Sequence, residues 1–197
     1  MTDVVIIDSG GANLASLQFA LQRLGASSLV SNDAATIRGA RRVLLPGVGA
    51  AADAMQRLRQ FDLHRLLPTL TQPLLGICLG MQLLFTHSDE GNTACLDIIG
   101  GRVLKLPSTT ALPVPHMGWN TCATLTRDAL LQGIDGDDYL YFVHSYAALP
   151  GPDTLATVDY GQALTAIVRR SNFWGVQFHP ERSAGVGARL LGNFLAI

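Results

Sequence analysis

Cys78 is the residue of this chain whose surroundings most clearly suggest chemistry. It stands in the segment Gly76-Ile77-Cys78-Leu79-Gly80, directly after the apolar run Pro73-Leu74-Leu75. The two glycines allow a sharp turn, so the pattern predicts a cysteine nucleophile between a strand and a helix. A helix beginning near Leu79 would direct free N–H groups and its positive dipole end at the sulfur, which favours the reactive thiolate. A buried cysteine acting only as a small apolar side chain is the alternative.

A base and a group to orient it occur together in His179-Pro180-Glu181. Residues i and i+2 of an extended segment lie on the same side, so we expect the imidazole and the carboxylate side by side. The preceding run, Phe173 to Phe178, is typical of a buried strand and would bring His179 to the same sheet edge as Cys78. Together, Cys78, His179 and Glu181 could form a triad for acyl transfer.

Acyl transfer also needs hydrogen-bond donors for the developing oxyanion. Pro46-Gly47-Val48-Gly49 follows a neighbouring predicted strand, and the backbone N–H groups of Val48 and Gly49, with that of Leu79, are the candidates. An ordinary glycine turn is the alternative for this loop. Gly10-Gly11 lacks both a Gly-x-Gly-x-x-Gly pattern and a P-loop lysine, so we do not expect a nucleotide there.

Composition narrows the class of protein. The 197 residues, 48% of them hydrophobic, are expected to form one domain over 1–197. A net charge of −1 provides no basic surface for nucleic acid, and no apolar stretch is as long as a membrane span. The three cysteines have no metal-ligand or disulfide spacing, so we expect no metal site and a cytoplasmic location. We also expect no cofactor.

The apolar pattern predicts an open α/β fold. Val4 to Ile7 form a buried-strand pattern, and the helical spacing of Leu14, Leu17 and Leu21 follows. This alternation repeats up to Cys78, which favours a mainly parallel, flavodoxin-like sheet flanked by helices. Beyond Gly100 short strands predict a partly antiparallel C-terminal half: 102–106, 121–125, 139–143, 155–158, 163–168 and 173–178. We expect mobile loops at 87–101 and 106–115.

Taken together, the motifs resemble those of class I, triad-type glutamine amidotransferases. The matching segments are Gly76 to Gln82, Pro46 to Gly49 and Gln177 to Glu181. Three further segments are similar to the glutaminase subunits of imidazole glycerol phosphate synthases: 8–14, 115–120 and 141–146. The resemblance covers Val4 to Phe194.

The resemblance implies a glutaminase that forms a glutamyl thioester on Cys78, with Gln82, Ser145 and Tyr146 around the substrate's amino and carboxylate groups. It also implies a heterodimer with a (β/α)₈ cyclase subunit, which uses the released ammonia in histidine biosynthesis, and an interface at or near Trp119, Asn120 and Tyr141. Rearrangement at Gly47-Val48 would switch on glutaminase activity when the cyclase holds its ligand. His144 is expected to support the site strand by hydrogen bonding.

Three alternatives remain open at this point. The chain could be the glutaminase subunit of another synthase, of the anthranilate or aminodeoxychorismate type, although Met117-Gly118-Trp119-Asn120 argues against this. It could be a non-catalytic regulatory subunit of the same fold, against which the complete Cys78, His179 and Glu181 set argues. A free cysteine hydrolase of the gamma-glutamyl hydrolase type would be active without any partner.

Overall fold

A computed structural model describes residues 2–10, 13–110, 112–124 and 126–197. Within them the strands are β1 Val4–Ile6, β2 Ser28–Val30, β3 Arg42–Gly47, β4 Leu74–Cys78, β5 Phe85–Ser88, β6 Thr93–Ala94, β7 Ile99–Lys105, β8 His116–Thr124, β9 Tyr139–His144, β10 Tyr146–Ala148, β11 Thr154–Asp159, β12 Ala163–Arg170 and β13 Phe173–Val176. The α-helices are α1 Leu14–Arg23, α2 Ala34–Arg38, α3 Ala51–Gln60, α4 Leu63–Leu66, α5 Leu79–Gln82 and α6 Ala184–Ala196. Gly11, Ala12, Ala111 and Leu125, which belong to segments discussed above, lie outside the described residues.

The main sheet has nine strands in the order β2-β1-β3-β4-β13-β12-β11-β8-β9. The pairings from β2 to β13 are parallel, and those from β13 to β9 are antiparallel. The mixed α/β fold with an antiparallel C-terminal half is therefore confirmed. The antiparallel share is larger than the sequence indicated, since it equals the parallel share. The strands β8, β9, β11 and β12 pair with one another, and β12 joins them to the parallel half through β13.

Helices cover both faces of the parallel half because its strands are apolar on both sides. β1 and β4 are buried throughout, as strands between two helical layers must be. On one face, α1 and α6 pack through Leu17, Leu21, Leu190 and Phe194. On the other, α3 and α4 pack through Met55, Leu58 and Leu63.

A second, four-stranded sheet, β10-β7-β5-β6, corrects the prediction of a loop over 87–101. That stretch contains the end of β5, all of β6 and the start of β7. Phe85, Ile99 and Val103 bury this sheet against the second of the two cores. The expectation failed because strands of two to four residues are too short to show a periodic pattern. Likewise β8 begins at His116, within a segment to which the sequence assigned no strand.

Candidate active site

Cys78 ends β4 at the carboxyl edge of the parallel strands. Its φ of 54° and ψ of −111° are unusual for a residue with a side chain, and they form the sharp turn into α5. The turn depends on Gly80, where an added Cβ would lie 1.7 Å from the Leu45 carbonyl oxygen. The predicted strand-to-helix turn is present, although α5 is a single turn of four residues.

His179 and Glu181 lie together as predicted, but the backbone differs from the expectation. His179 Nδ1–H donates to Glu181 Oε1 over 2.8 Å. The extended geometry proposed for this segment is wrong for Glu181, which lies in a 3₁₀ turn over Pro180–Arg182; β13 ends earlier, at Val176. Pro180 at the start of the turn provides the fixed φ that such a turn requires.

Backbone contacts from β9 hold His179 in place. Its N–H donates to the Tyr141 carbonyl over 2.9 Å. The Ser183 hydroxyl donates to the His179 carbonyl over 2.7 Å and accepts from the Tyr141 N–H over 3.0 Å. Ser183 is completely buried, and no sequence pattern indicated this role.

The charge state of His179 is set by opposing influences. Burial lowers the pKa of His179, but the nearby Cys78 sulfur and then the Glu181 carboxylate raise it, and the net result is a pKa above the ordinary value. With Nδ1 bound to Glu181, Nε2 is buried without a hydrogen-bond partner among the described residues. Such a nitrogen is available for proton transfer to a group entering the site.

A cavity of about 300 Å³ opens above the sulfur. Its walls include eight of the predicted site residues, namely Val48, Gly49, Cys78, Leu79, Gln82, Ser145, Tyr146 and His179. Glu181 lies behind His179 and does not line it. The structure adds Glu90, Pro115, Val143 and His144 to the walls.

The loop after β3 brings backbone N–H groups close to the sulfur. Gly47 pairs with Cys78 across the sheet, so Val48 and Gly49 follow directly beside the nucleophile. Their N–H groups donate to no described residue, and the N–H of Leu79 lies in the first turn of α5, where helices have free donors. The buried Ser9 hydroxyl donates to the Pro46 carbonyl over 2.6 Å and holds the start of this loop.

Gln82 has a defined orientation in the cavity wall. Its Nε2 donates to the Tyr146 carbonyl over 2.8 Å and to Gln177 Oε1 over 3.0 Å. A carbonyl oxygen only accepts hydrogen bonds, so the amide nitrogen must be the atom that faces it. Gln82 Oε1 bonds to no described residue and remains available as an acceptor.

Glu90 is the main cavity residue that the sequence missed. It begins the 3₁₀ turn Glu90–Asn92 between β5 and β6, within the stretch that we expected to be a loop. Its Oε2 accepts from the Ala51 N–H at the start of α3 over 2.8 Å. An acidic side chain therefore belongs to the cavity wall, and its contact with Ala51 holds it near the loop of Val48 and Gly49.

His144 supports the wall through hydrogen bonds, as expected. Its Nδ1–H donates to the Tyr146 carbonyl over 2.9 Å, so its Nε2 accepts from His116 Nδ1–H over 3.1 Å. Burial lowers the pKa of both histidines to about 4, and both are neutral near pH 7. Both ring nitrogens of each histidine already have hydrogen-bond partners, so neither His116 nor His144 is a second base.

An aromatic surface lies on β8 and β9 next to the triad turn. Trp119 and Tyr141 pack edge to face at 5.8 Å, and the Arg182 guanidinium lies 4.5 Å from the Tyr141 ring centre. Trp119 is 52% exposed. Asn120 is half-buried and uses its amide within the chain, donating to the Asp159 carbonyl over 2.9 Å.

The described residues contain neither a metal-binding cluster nor a membrane-spanning helix. Across the described ranges, no group of three or more His, Cys, Asp or Glu residues could hold a metal ion. No helix there has the length and apolar character needed to cross a membrane.

Comparison with known proteins agrees with the geometry of the site. The family model of glutamine amidotransferase class I matches residues 5–197. The chain is 52% identical over 195 residues to the imidazole glycerol phosphate synthase subunit HisH of Xanthomonas euvesicatoria, covering 99% of this chain and 98% of that one. It is 49% identical over 192 residues to the subunit of the same name from Mannheimia succiniciproducens, covering 98% of each.

Two solved structures share the fold. The crystal structure of a glutamine amidotransferase superposes with a TM-score of 0.76 at 18% identity, over 98% of this chain and 97% of that one. PurLQS from Thermotoga maritima superposes with a TM-score of 0.71 at 14% identity, over 100% and 99%. At such identities the likeness concerns the fold alone.

Proposed function

This chain belongs to the class I glutamine amidotransferase family, and we propose that it is the glutaminase subunit of an imidazole glycerol phosphate synthase in histidine biosynthesis. The relatives at about half identity over the whole chain support this assignment. The observation that carries the chemistry is the arrangement around the cavity floor. Cys78 lies beside a histidine whose Nδ1 is held by Glu181 and whose Nε2 has no partner among the described residues.

The reaction begins with attack of the Cys78 thiolate on the side-chain carboxamide carbon of glutamine. The carbonyl oxygen becomes an oxyanion, which accepts hydrogen bonds from the N–H groups of Val48, Gly49 and Leu79. His179 donates its Nε2 proton to the amide nitrogen, the C–N bond breaks, and ammonia leaves. Glu181 stabilises the charged imidazole and fixes the tautomer that places the reactive nitrogen toward the cavity.

The thioester is resolved by water. His179, now neutral, takes a proton from the water at Nε2 while the hydroxyl oxygen attacks the thioester carbonyl carbon. The second tetrahedral intermediate collapses with cleavage of the C–S bond. L-glutamate leaves, the thiolate is restored and His179 is again protonated.

The cavity walls provide partners for the charged end of glutamine. Gln82 Oε1 and the Glu90 carboxylate are acceptors for the substrate ammonium group, because the N–H groups of Gln82 are already used by Tyr146 and Gln177. Ser145 and Tyr146 also line the cavity, which supports a role for them in binding the substrate carboxylate. The volume of about 300 Å³ suits a single amino acid.

A cyclase subunit of (β/α)₈ fold docks on the aromatic surface of β8 and β9. Exposed apolar side chains are concentrated there, with Met117 63%, Trp119 52% and Tyr139 60% exposed. Aromatic and methionine side chains are enriched at protein interfaces. Docking forms a heterodimer and places the ammonia consumer beside the turn that carries His179 and Glu181.

Ligand binding to the cyclase controls the oxyanion loop. The peptide between Gly47 and Val48 rotates and presents its N–H group to the cavity, which raises turnover only when ammonia can be used.

The chain acts as a single domain over 1–197 and works in the cytoplasm. It needs no metal and no cofactor, since the thiolate and the imidazole supply the nucleophile and the acid.

The experiment that tests this proposal measures glutamate release from glutamine. The purified chain is assayed alone, with a candidate cyclase subunit, and with that cyclase plus its nucleotide ligand. Slow release alone and strong stimulation by the liganded cyclase are expected, and the Cys78→Ala variant provides the blank. Full activity without a partner would instead indicate a free hydrolase, and silence in every setting a different synthase or a non-catalytic subunit.

A further inference from the structure

Gln177 is a buried polar residue in an apolar stretch of the chain. It follows β13 and is completely buried between Val176 and Phe178, which are also completely buried. Burial of an amide is unfavourable unless its polar atoms are bonded. The side-chain Nε2 of Gln177 donates to the Cys78 sulfur over 3.7 Å, and its Oε1 accepts from Gln82 over 3.0 Å.

The direction of these hydrogen bonds is fixed by one backbone carbonyl. The Tyr146 oxygen only accepts, so it orients the amide nitrogen of Gln82 toward itself. The same nitrogen also reaches Gln177, which therefore presents its oxygen to Gln82 and its N–H to the sulfur. His144 donates to the same Tyr146 oxygen and helps to hold it in place.

Gln177 reaches the nucleophile from behind the cavity. It does not belong to the cavity walls, whereas Gln82 does. A substrate in the cavity would therefore contact Gln82 and not Gln177. Gln177 also binds Gln82, but the Tyr146 carbonyl still holds Gln82 when Gln177 is replaced, so an effect of Gln177 on the reaction should pass mainly through the sulfur.

We propose that Gln177 is a positioning residue for the nucleophile, whose side-chain N–H holds and stabilises the Cys78 thiolate while Gln82 and the Tyr146 carbonyl fix the orientation of its amide. A hydrogen bond to an ionised acceptor is stronger than one to a neutral group, so the contact favours the thiolate over the thiol. The proposal deepens the proposed function, and its turnover measurements rest on that function.

Alkylation of Cys78 by iodoacetamide tests the proposal without glutamine or a partner. Gln177→Met keeps the side-chain volume and removes both hydrogen bonds, whereas Gln177→Glu keeps an acceptor for Gln82 and places an oxygen against the sulfur. Thr165→Val is the matched control, because Thr165 is equally buried and Thr154 is the one side-chain partner of its hydroxyl among the described residues. Signal from the other cysteines is subtracted with Cys78→Ala.

Alkylation near pH 7 should slow about threefold in Gln177→Met. Loss of the hydrogen bond is expected to lower the thiolate population about tenfold. The less stabilised thiolate is about threefold more nucleophilic, for a Brønsted slope of about 0.5, so the net decrease in rate is about threefold. Gln177→Glu should be slower still, and Thr165→Val should match the wild type. At strongly alkaline pH, where every variant is ionised, the Gln177→Met rate should equal or exceed that of the wild type.

The titratable groups around Cys78 are His179, with Glu181 behind it, and His144, Tyr146 and Glu90 on the other walls. They are the same in the wild type, Gln177→Met and Thr165→Val, whereas Gln177→Glu adds one carboxyl group. A purely structural role would lower the alkylation rate at every pH, and equal rates in the folded Gln177 variants and the wild type would overturn the proposal. If both Gln177 variants fail to fold, Gln82→Met provides the test, because it removes the hydrogen bond that orients the Gln177 amide. Slower alkylation of Cys78 in this variant supports the proposal, and an unchanged rate rejects it.

Turnover provides a second readout. For glutamine hydrolysis by the complex, Gln177→Met should lower kcat about tenfold and leave KM within about twofold, because Gln177 does not contact the substrate. A raised KM with unchanged kcat would contradict the positioning role. If the wild type itself hydrolyses no glutamine, the proposed function fails, and the alkylation result still decides the role of Gln177.

Discussion

Replacing Glu181 with glutamine tests how much of the chemistry depends on the charge behind His179. The variant keeps an oxygen that can accept the Nδ1–H bond of 2.8 Å, so the imidazole should keep its orientation. It loses only the negative charge. Both side chains are about one-tenth exposed, so solvent screens this charge poorly.

The size of the effect follows from that single contact. Glu181 Oε2 has no partner among the described residues, so the pair consists of one charge-assisted hydrogen bond. Such a bond contributes about 1.5–3 kcal/mol, and losing about 2 kcal/mol of transition-state stabilisation corresponds to a roughly 30-fold lower kcat. KM for glutamine should change little, because Glu181 does not line the cavity.

The pH profile should change with a defined sign. Burial lowers the pKa of His179 whereas Cys78 and Glu181 raise it, so removing the carboxylate must move the pKa down. The alkaline limb of kcat/KM reports loss of the proton from the Cys78–His179 pair, and we expect it about one pH unit lower in Glu181→Gln.

The assay is glutamate release by the complex with liganded cyclase across the pH range. Asp128→Asn is the matched control, since Asp128 is a buried acid paired with Arg169 away from the cavity. It should lower stability and leave the pH profile unchanged. Wild-type kcat and an unshifted alkaline limb in Glu181→Gln would refute the role assigned to Glu181.

Three further substitutions test other parts of the site and the fold. Glu90→Gln should raise KM for glutamine about tenfold with kcat nearly unchanged, because the Glu90 carboxylate stabilises the substrate ammonium group equally in the ground state and the transition state. A fall confined to kcat would contradict this. Trp119→Ala should weaken cyclase binding about tenfold or more in a titration and leave the basal rate unchanged, and unaltered affinity would remove Trp119 from the interface. Gly80→Ala should lower the free energy of unfolding by about 3 kcal/mol or more, since the added Cβ would meet the Leu45 carbonyl. Gly185 has open space around it, so the control Gly185→Ala should be neutral or slightly stabilising. Similar stabilities of the two variants would show that the turn at Gly80 is not tightly packed.

The sequence predicted those features whose signal is local. The Cys78 turn follows from glycine spacing beside an apolar run, and the alternation of strand and helix patterns is visible as far as β4. Because parallel strands end at a common edge, the meeting of Cys78 with His179 could also be inferred. The resemblance to a family then indicated Gln82, Ser145 and Tyr146, all of which line the cavity.

Features that depend on contacts distant in sequence could not be predicted. Glu90 reaches the cavity on a 3₁₀ turn between two very short strands, and nothing in its neighbourhood marks it. Ser183 acts through backbone atoms of Tyr141 and His179, which no side-chain pattern records. Gln177 was visible only as part of a strand pattern, because its role depends on the orientation of Gln82.

Transfer of nitrogen from glutamine into the cyclase product tests the central claim most directly. The complex is supplied with glutamine labelled with nitrogen-15 in the side-chain amide, with the cyclase substrate and with an excess of unlabelled ammonium. We expect the imidazole product to carry the label, and Cys78→Ser to abolish labelling while ammonium-dependent synthesis continues. An unlabelled product from the wild-type complex would contradict the proposed ammonia transfer.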